Sequence, residues 1–372
     1  MKRSSEAYKD QTPLCIEVLV FALSLFGIAA VYSASYYQAN SLYGDGFLYM
    51  KKQAVGVGIG AVGFFIAKNL DYKYFKKAYI AFPIACAILL ALVFVPGIGV
   101  ENYGAKRWLN FGFFTIQPSE LCKLALVLFS AEYYAKHHEI TPSLKGILPI
   151  LAVGGAFAAL IIIEPNLSVT VDIALITLLI AIAAGLDKRL ILLGFGVGVL
   201  AIPILIIAEP YRMARLAAFL DPWQSPKAEG YQLIQSLYGI SNGGLFGTGY
   251  LSSRQAKKFL SFSESDFIFS VIAEEFGLFG CLVLLSCYLL LILSGFRQAI
   301  RSSDRYDFML RFGGTSVIAV QVIINVAVVT GSIPPTGLPL PFISSGNTQI
   351  IVFMAIGGIL SRSHKNQGFA IG

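Results

Sequence analysis

Apolar runs of about 20 residues recur along the whole chain, and they constrain its fold more than any other feature of the sequence. Residues 16–35, 82–100 and 279–295 are three such runs. Each one is long enough to cross about 30 Å of hydrocarbon as an α-helix, which satisfies its own backbone hydrogen bonds in lipid. Only 13% of the 372 residues are charged, against about 25% in a soluble domain. We therefore predict an all-α, polytopic membrane protein that forms one integral membrane domain over residues 1–372.

The positions of the apolar runs predict ten transmembrane helices. They lie near residues 16–35, 53–68, 75–97, 117–135, 147–163, 166–186, 189–208, 266–295, 309–331 and 345–361. If both termini are cytoplasmic, the cytoplasmic segments hold 17 of the 28 basic residues and the short outer loops hold four. Because basic residues accumulate in short cytoplasmic loops, this count favours that orientation.

Two outer segments stand apart from the short connections. The segment between predicted helices 7 and 8, residues 209–265, is too long for an ordinary connection and is either functional or disordered. Its aromatic and aliphatic residues argue against disorder, so we predict short helices packed on the outer ends of the spans. The second segment, residues 331–346, contains four prolines and is predicted to be non-helical. Non-helical backbone at membrane depth is tolerated where it lines a cavity.

A few ionisable residues fall inside predicted spans, where they are costly and are candidates for function. Glu120 and Lys123 lie three residues apart on one helix and can pair. Two interpretations stay open for them: a structural ion pair between helices, or a pair that also lines a substrate cavity. Structural roles are favoured for Asp172 and Glu275, whereas Glu274 is undecided.

The histidines restrict the chemistry of an outer site. All three, His137, His138 and His364, fall on the cytoplasmic side in this topology. A general base on the outer face is then a carboxylate, and Ser–His or Cys–His nucleophiles and a three-histidine zinc site are excluded. The five cysteines lie in or beside spans without CxxC spacing, which argues against a disulfide framework.

One outer carboxylate, Asp266, differs from the rest because it lies where the long loop meets an apolar helix. It is predicted to be either a helix N-cap or a catalytic base, since both roles suit a carboxylate at a helix start. Arg107 and Trp108 lie elsewhere in the outer layer, and a cation beside an indole suits a phosphate group attached to a lipid. Anchoring at the membrane interface is the alternative for this pair. Arg215, in the long loop, is a further candidate for phosphate contact.

Several longer motifs resemble the SEDS family (shape, elongation, division and sporulation) of bacterial membrane glycosyltransferases. The similar stretches run in family order across nearly the whole chain: YSAS (32–35), RWLNFGFFTIQPSELCKLAL (107–126), EPNLS (164–168), RLAAFLDPWQSP (215–226), GYQLIQSLYGISNGGLFGTG (230–249), SDFIFSVIAEEFGLFG (265–280) and TGLPLPFISSG (336–346). The family has ten transmembrane helices with both ends in the cytoplasm, in agreement with the count of basic residues. Three stretches depart from the common family pattern, namely 164–168, 259–265 and 344–349.

The resemblance implies polymerisation of lipid II, the undecaprenyl-pyrophosphate-linked disaccharide-pentapeptide, at the outer face of the bacterial cytoplasmic membrane. It implies that Asp266 is the catalytic base, with inversion at the donor sugar. For substrate binding we assign the residues that lie in or beside the matched motifs: Arg107, Trp108, Glu120, Lys123, Arg215, Gln235 and Ser344. No ligand spacing requires a metal, and a divalent cation, Mg²⁺ or Mn²⁺, is kept only as an optional assistant.

The expected partner is a class B penicillin-binding protein, a monofunctional transpeptidase, together with other membrane proteins of the division or elongation machinery. GYQLIQSL and FLDPW favour the division-type branch and septal synthesis, whereas TGLPLPF is closer to the elongation and sporulation branches. Elongation-type polymerisation, a lipid II flippase and a scaffold without activity remain as alternatives.

Overall fold

The structure is a computed structural model that describes residues 11–363, except 103, 104, 111, 113, 114 and 208. His364 lies outside the described residues. The helices are α1 (Thr12–Tyr43), α2 (Leu48–Asn69), α3 (Tyr72–Ala78), α4 (Ala81–Leu92), α5 (Pro118–His137), α6 (Leu144–Ile163), α7 (Leu167–Ala183), α8 (Lys188–Ile207), α9 (Pro210–Leu220), α10 (Tyr231–Gly243), α11 (Arg254–Lys258), α12 (Ile268–Ile300), α13 (Arg305–Val329) and α14 (Asn347–Leu360). Three strands lie between α4 and α5: β1 (Gly99–Asn102), β2 (Ala105–Asn110) and β3 (Thr115–Ile116).

Fewer helices are long and apolar enough to cross a membrane than the ten that the sequence predicts. Within the described residues, six helices qualify: α1, α2, α6, α8, α12 and α13. The pair α3 and α4, bent by 52°, adds a seventh if it counts as one span. Helices α7 and α14 are apolar but shorter, and α5 carries four residues of the types Asp, Glu, Lys and Arg, namely Glu120, Lys123, Glu132 and Lys136. Each predicted span thus contains a helix, and the protein is a multi-pass membrane protein, but ten crossings are not established.

Helix α13 forms the centre of the bundle. Its most apolar window is 78% buried, and it packs against α5, α7, α12 and α14. Close approach of helices elsewhere depends on glycine, as is usual in membrane bundles. A Cβ atom on Gly358 of α14 would lie 2.3 Å from the backbone oxygen of Phe64 in α2. At the periphery, the corresponding window of α8 is 0% buried, so this helix presents its apolar side chains around its whole circumference.

The small antiparallel sheet β1–β2–β3 corrects the all-α prediction. Strand β2 pairs with β1, where Trp108 lies opposite Val100, and with β3, where Leu109 lies opposite Ile116. This sheet is not visible in the sequence, because its strands are too short to show a clear alternation of apolar and polar residues beside the long apolar runs. The sheet determines the position of Arg107, which lies on a short, paired strand close to the start of α5.

The segment 209–265 contains the helices α9, α10 and α11 and one 3₁₀ turn, which confirms the prediction of short helices. Its second half is fastened to α12. Glu274 accepts hydrogen bonds from the Ser253 hydroxyl (2.5 Å) and from the Gln255 amide (3.2 Å), and so caps α11. Glu275 accepts a hydrogen bond from the Ser33 hydroxyl of α1 at 2.5 Å. Both carboxylates therefore connect the segment and α1 to α12.

Candidate active site

Asp266 lies just before α12, at the end of the bundle that also carries the sheet and the segment 209–265. It is not the N-cap: the helix begins at Ile268 and its N-cap is Phe267. The half-buried carboxylate instead accepts a hydrogen bond from the Ser265 hydroxyl at 2.8 Å. This leaves Asp266 with capacity to accept a further proton or hydrogen bond, because an ionised carboxylate has about four acceptor positions.

The backbone around Asp266 is held by one side chain of α13. Asn325 donates from Nδ2 to the backbone oxygen of Asp266 at 2.9 Å and to that of Leu338 at 2.8 Å. It therefore joins the start of α12 to the non-helical segment 331–346. Within that segment, Gly337 faces the carboxylate, since a Cβ atom there would lie 3.1 Å from Asp266 Oδ2. Any side chain at position 337 would compete with a substrate for space beside the carboxylate.

Ser344 belongs to the same network of hydrogen bonds to the backbone around Asp266. Its side chain is 2% exposed, donates to the backbone oxygen of Ser265 at 2.7 Å and accepts from the amide of Leu340 at 2.7 Å. The next amide, that of Ser345, donates to the backbone oxygen of Glu264 at 2.8 Å. The structure thus gives Ser344 a role in holding the loop beside Asp266. The predicted substrate contact stays a prediction.

Two arginines from separate segments lie within electrostatic range of Asp266. Arg107 of β2 donates from Nη2 to the backbone oxygen of Pro165 at 2.6 Å and from Nε to that of Glu164 at 3.3 Å. Arg215 of α9 donates from Nη1 to the backbone oxygen of Pro335 at 3.4 Å. Because backbone carbonyls are neutral partners, both guanidinium groups keep their charge for an anion.

The electrostatic balance at Asp266 suits a proton acceptor. Burial raises the pKa of its carboxyl above the ordinary value, while the Ser265 hydroxyl and the charges of Arg215 and Arg107 oppose that rise. A base with a raised pKa holds an abstracted proton more firmly than an aspartate in water does. Burial also raises the pKa of the neighbouring Glu264.

Glu120 and Lys123 form part of a buried charge cluster below this surface. Lys123 Nζ lies 3.0 Å from Glu120 Oε1 and 3.0 Å from Asp172 Oδ2 on α7. It also donates to Gln321 Oε1 at 2.5 Å, and Gln321 in turn donates to the backbone oxygen of Pro339 at 2.9 Å. Lys123 is 0% exposed, so its donors are engaged inside the bundle. The cluster supports the segment 331–346 from below, and any direct contact with substrate stays a prediction.

The remaining predicted binding residues, Trp108 and Gln235, are not joined to Asp266 by any contact among the described residues. Trp108 is half-buried in β2, next to Arg107. Gln235 is half-buried on α10. That helix packs on α12 through the Ser270 hydroxyl, which donates to the backbone oxygen of Ser236 at 3.0 Å. Both residues therefore lie on elements of the site, and their substrate contacts remain predictions.

Sequence reasoning missed Asn325, Gln321 and Gly337. The available signal was a pair of amides four residues apart in an apolar span, which share a helix face and need partners in lipid. Among the described residues, no group of three or more His, Cys, Asp or Glu side chains could hold a metal ion.

Known proteins share this architecture. A match to the family of cell cycle proteins that comprises FtsW, RodA and SpoVE spans residues 13–368. The chain belongs to this family.

Individual relatives agree with that assignment. The "Probable peptidoglycan glycosyltransferase FtsW" of Geobacter metallireducens is 36% identical over 364 residues, covering 96% of each chain. "Stage V sporulation protein E" of Bacillus subtilis is also 36% identical over 364 residues, covering 96% of this chain and 99% of its own. The fold matches one chain of a solved peptidoglycan synthase complex with a TM-score of 0.78 and 27% identity, covering 95% of this chain and 98% of that one.

Proposed function

We propose that this protein is a peptidoglycan glycosyltransferase that polymerises lipid II, with Asp266 as its general base. The observation that carries the proposal is the half-buried Asp266 carboxylate with Arg107 and Arg215 in electrostatic range, at one end of a membrane helix bundle. A base beside two cations suits a reaction in which a hydroxyl attacks and a pyrophosphate departs. Family membership and the names of the relatives support the same activity.

The reaction follows from these groups. Asp266 takes the proton of the acceptor sugar hydroxyl as that oxygen forms a bond to the anomeric carbon of the donor. The bond between that carbon and the pyrophosphate oxygen breaks, and undecaprenyl pyrophosphate leaves with the electron pair, so the configuration inverts. Arg107 and Arg215 stabilise the negative charge that develops on the leaving group. Asn325 holds the backbone of Asp266 in position, and Gly337 leaves space beside its carboxylate because it has no side chain.

In the proposed topology, the chain crosses the bacterial cytoplasmic membrane ten times, with both termini in the cytoplasm and Asp266 at the outer face. The distribution of basic residues supports this orientation. At the opposite end of the bundle, buried Arg311 donates to Asp307 at 2.8 Å and to the backbone oxygens of Leu360 and Arg362 at 3.1 Å each. This packing fastens the end of α14 to α13 on the side away from Asp266.

The proposed partner is a class B penicillin-binding protein that crosslinks the strands made here. The solved complex with a matching chain coordinates polymerization and crosslinking, which supports such a pairing. The FtsW names among the relatives favour septal synthesis in cell division. Elongation-type synthesis is the alternative within the same chemistry.

The test is polymerisation of purified lipid II in detergent by this protein with its cognate transpeptidase, in the native form and as Asp266→Ala. Strands from the native pair and none from the folded variant are expected. A matched control is Asp45→Asn, because Asp45 is an exposed carboxylate whose pair with Lys51 is solvated. Full activity of Asp266→Ala would contradict the assignment of the base.

A flippase is the second candidate, because the buried cluster of Glu120, Lys123 and Asp172 resembles the intramembrane charges of transport pathways. Labelled lipid II that crosses proteoliposome membranes without forming strands would favour it over glycosyl transfer. The position of Asp266 and both arginines at one end of the bundle, rather than at its midplane, argues for the enzyme.

A further inference from the structure

Glu164 is a buried carboxyl group without a visible structural task. It lies at the end of α6, in the EPNLS motif, on the same end of the bundle as Asp266. The side chain is 0% exposed, and neither carboxylate oxygen has a hydrogen-bond partner among the described residues. Leaving a buried carboxylate without donors is costly, so such a group either carries a proton or has a counter-charge.

The charged group that faces Glu164 is Arg107 of β2. The guanidinium is anchored on this turn, because its Nε and Nη2 donate to the backbone oxygens of Glu164 and Pro165. From α5, the Cys122 thiol is also in electrostatic range of Glu164. On its other side, Arg107 is in electrostatic range of Asp266. Arg107 therefore lies between the proposed catalytic base and a buried acid.

Burial raises the pKa of Glu164 to about 8, although the charge of Arg107 pulls it down. Near neutral pH the carboxyl is therefore mostly protonated, and it does not neutralise the adjacent guanidinium. As the pH rises through that value, the proton is lost and a carboxylate appears beside Arg107.

We propose that Glu164 controls the charge that Arg107 offers to an anion: the protonated carboxyl leaves the guanidinium free for the substrate pyrophosphate, and the carboxylate cancels it. Glu164 is thus a positioning residue that acts through Arg107. The inference rests on the proposed function, in which Arg107 binds the pyrophosphate of lipid II.

The sign of the effect follows from linkage. Anion binding favours the protonated form of Glu164, so affinity is highest below its pKa and falls above it. Conversely, binding of the anion above pH 8 draws a proton onto Glu164. Tyr211, Arg215 and Asp266 also lie in electrostatic range of Arg107. A Glu164→Gln variant keeps all three groups, so a fall in affinity that the variant lacks comes from Glu164.

The experiment measures the affinity of the purified protein in nanodiscs for lipid II between pH 7 and pH 9. The native protein is expected to lose roughly tenfold in affinity over this range, which corresponds to about 1.4 kcal/mol. Glu164→Gln is close to isosteric and cannot ionise, so its affinity should stay level. Glu229→Gln is the matched control, because Glu229 is an exposed glutamate in the segment 209–265, and it should follow the native curve. Ionisation of lipid II itself affects all three proteins equally.

Superimposed curves for native protein and Glu164→Gln would overturn the inference. A second measurement uses the native protein alone: calorimetry in buffers of different ionisation enthalpy should show uptake of a fraction of one proton when lipid II binds at about pH 8.5. No uptake would overturn the inference even if the variant failed to fold. Lipid II that binds with the expected pH dependence but is never polymerised would contradict the proposed function and leave this inference standing.

Discussion

Neutralising Lys123 tests the buried cluster most directly. The ammonium lies 3.0 Å from a carboxylate oxygen of Glu120 and 3.0 Å from one of Asp172, and all three side chains are at most 3% exposed. At an effective dielectric constant of about 20, each contact attracts by roughly 5.5 kcal/mol. Desolvation offsets most of that gain, and removing one partner from a buried pair costs about 3–5 kcal/mol. Lys123→Met is therefore expected to destabilise the protein by about 4 kcal/mol or more.

The assay is thermal unfolding in detergent, where such a loss corresponds to a fall in the midpoint on the order of 5–10 °C. Lys136→Met is the matched control on the same helix. Its partner Glu132 is also 3.0 Å away and only 9% exposed, but the Lys136 side chain is 48% exposed, so the change should cost clearly less than Lys123→Met. A Lys123→Met protein as stable as the control would refute the reasoning that this cation neutralises two buried carboxylates.

The triple variant Glu120→Gln/Lys123→Met/Asp172→Asn separates the two roles left open for the cluster. Replacing all charged members of a buried ionic group is often neutral for stability, so most of the lost unfolding temperature should return. If the cluster is only structural, lipid II polymerisation returns with it. If Lys123 also contacts the pyrophosphate, the protein regains stability and stays inactive. Comparing the unfolding midpoint with the polymerisation rate therefore assigns the role.

Four further outcomes follow from the site and the opposite end of the bundle. Asn325→Leu removes the side-chain donor from the backbone oxygens of Asp266 and Leu338, and each loss should destabilise the fold by about 1–3 kcal/mol. Because the backbone of Asp266 is then held less firmly, lipid II polymerisation should slow at least about tenfold. Gly337→Val should reduce the turnover rate more than lipid II binding, because its side chain would press on Asp266. Burial raises the pKa of Asp266, and the general base must be ionised to accept a proton. The rate of polymerisation should therefore fall as the pH drops through that raised pKa. Lipid II binding, measured over the same pH range, should not show this fall. Arg311→Leu should lower the unfolding midpoint as strongly as Lys123→Met, since it removes the cation beside the buried Asp307 carboxylate and a donor to two backbone carbonyls.

The sequence predicted the helical character and the ten helical segments because these depend on local patterns. Long apolar runs directly indicate helices in lipid. A single carboxylate before an apolar helix, such as Asp266, can also be recognised without a structure. Arg107 and Arg215 were also selected, since cations on the outer layer stand out in an apolar chain. Whether ten segments all cross the membrane depends on tilt and neighbours, which hydropathy does not encode.

The parts that could not be predicted depend on tertiary contacts. Asn325 and Gln321 are ordinary amides in sequence, and their importance comes from the carbonyls that segment 331–346 brings to them. Glu164 resembles a solvated loop residue until packing removes water from it. Because α12 starts at Ile268, its N-cap is Phe267 and not Asp266, a shift of one residue that a sequence pattern does not resolve.

Main-chain atoms supply most of the acceptors that hold the Asp266 surface together. The oxygens of Glu264, Ser265, Asp266, Leu338 and Pro339 accept these hydrogen bonds, and a carbonyl oxygen is the same in every amino acid. Substitutions at such acceptor positions can therefore accumulate over evolution without releasing the loop, provided that the donors persist. Sequence drift in this protein should therefore be faster at acceptors whose side chains make no hydrogen bond in the site, such as Leu338, than at Asn325, Gln321 and Ser344.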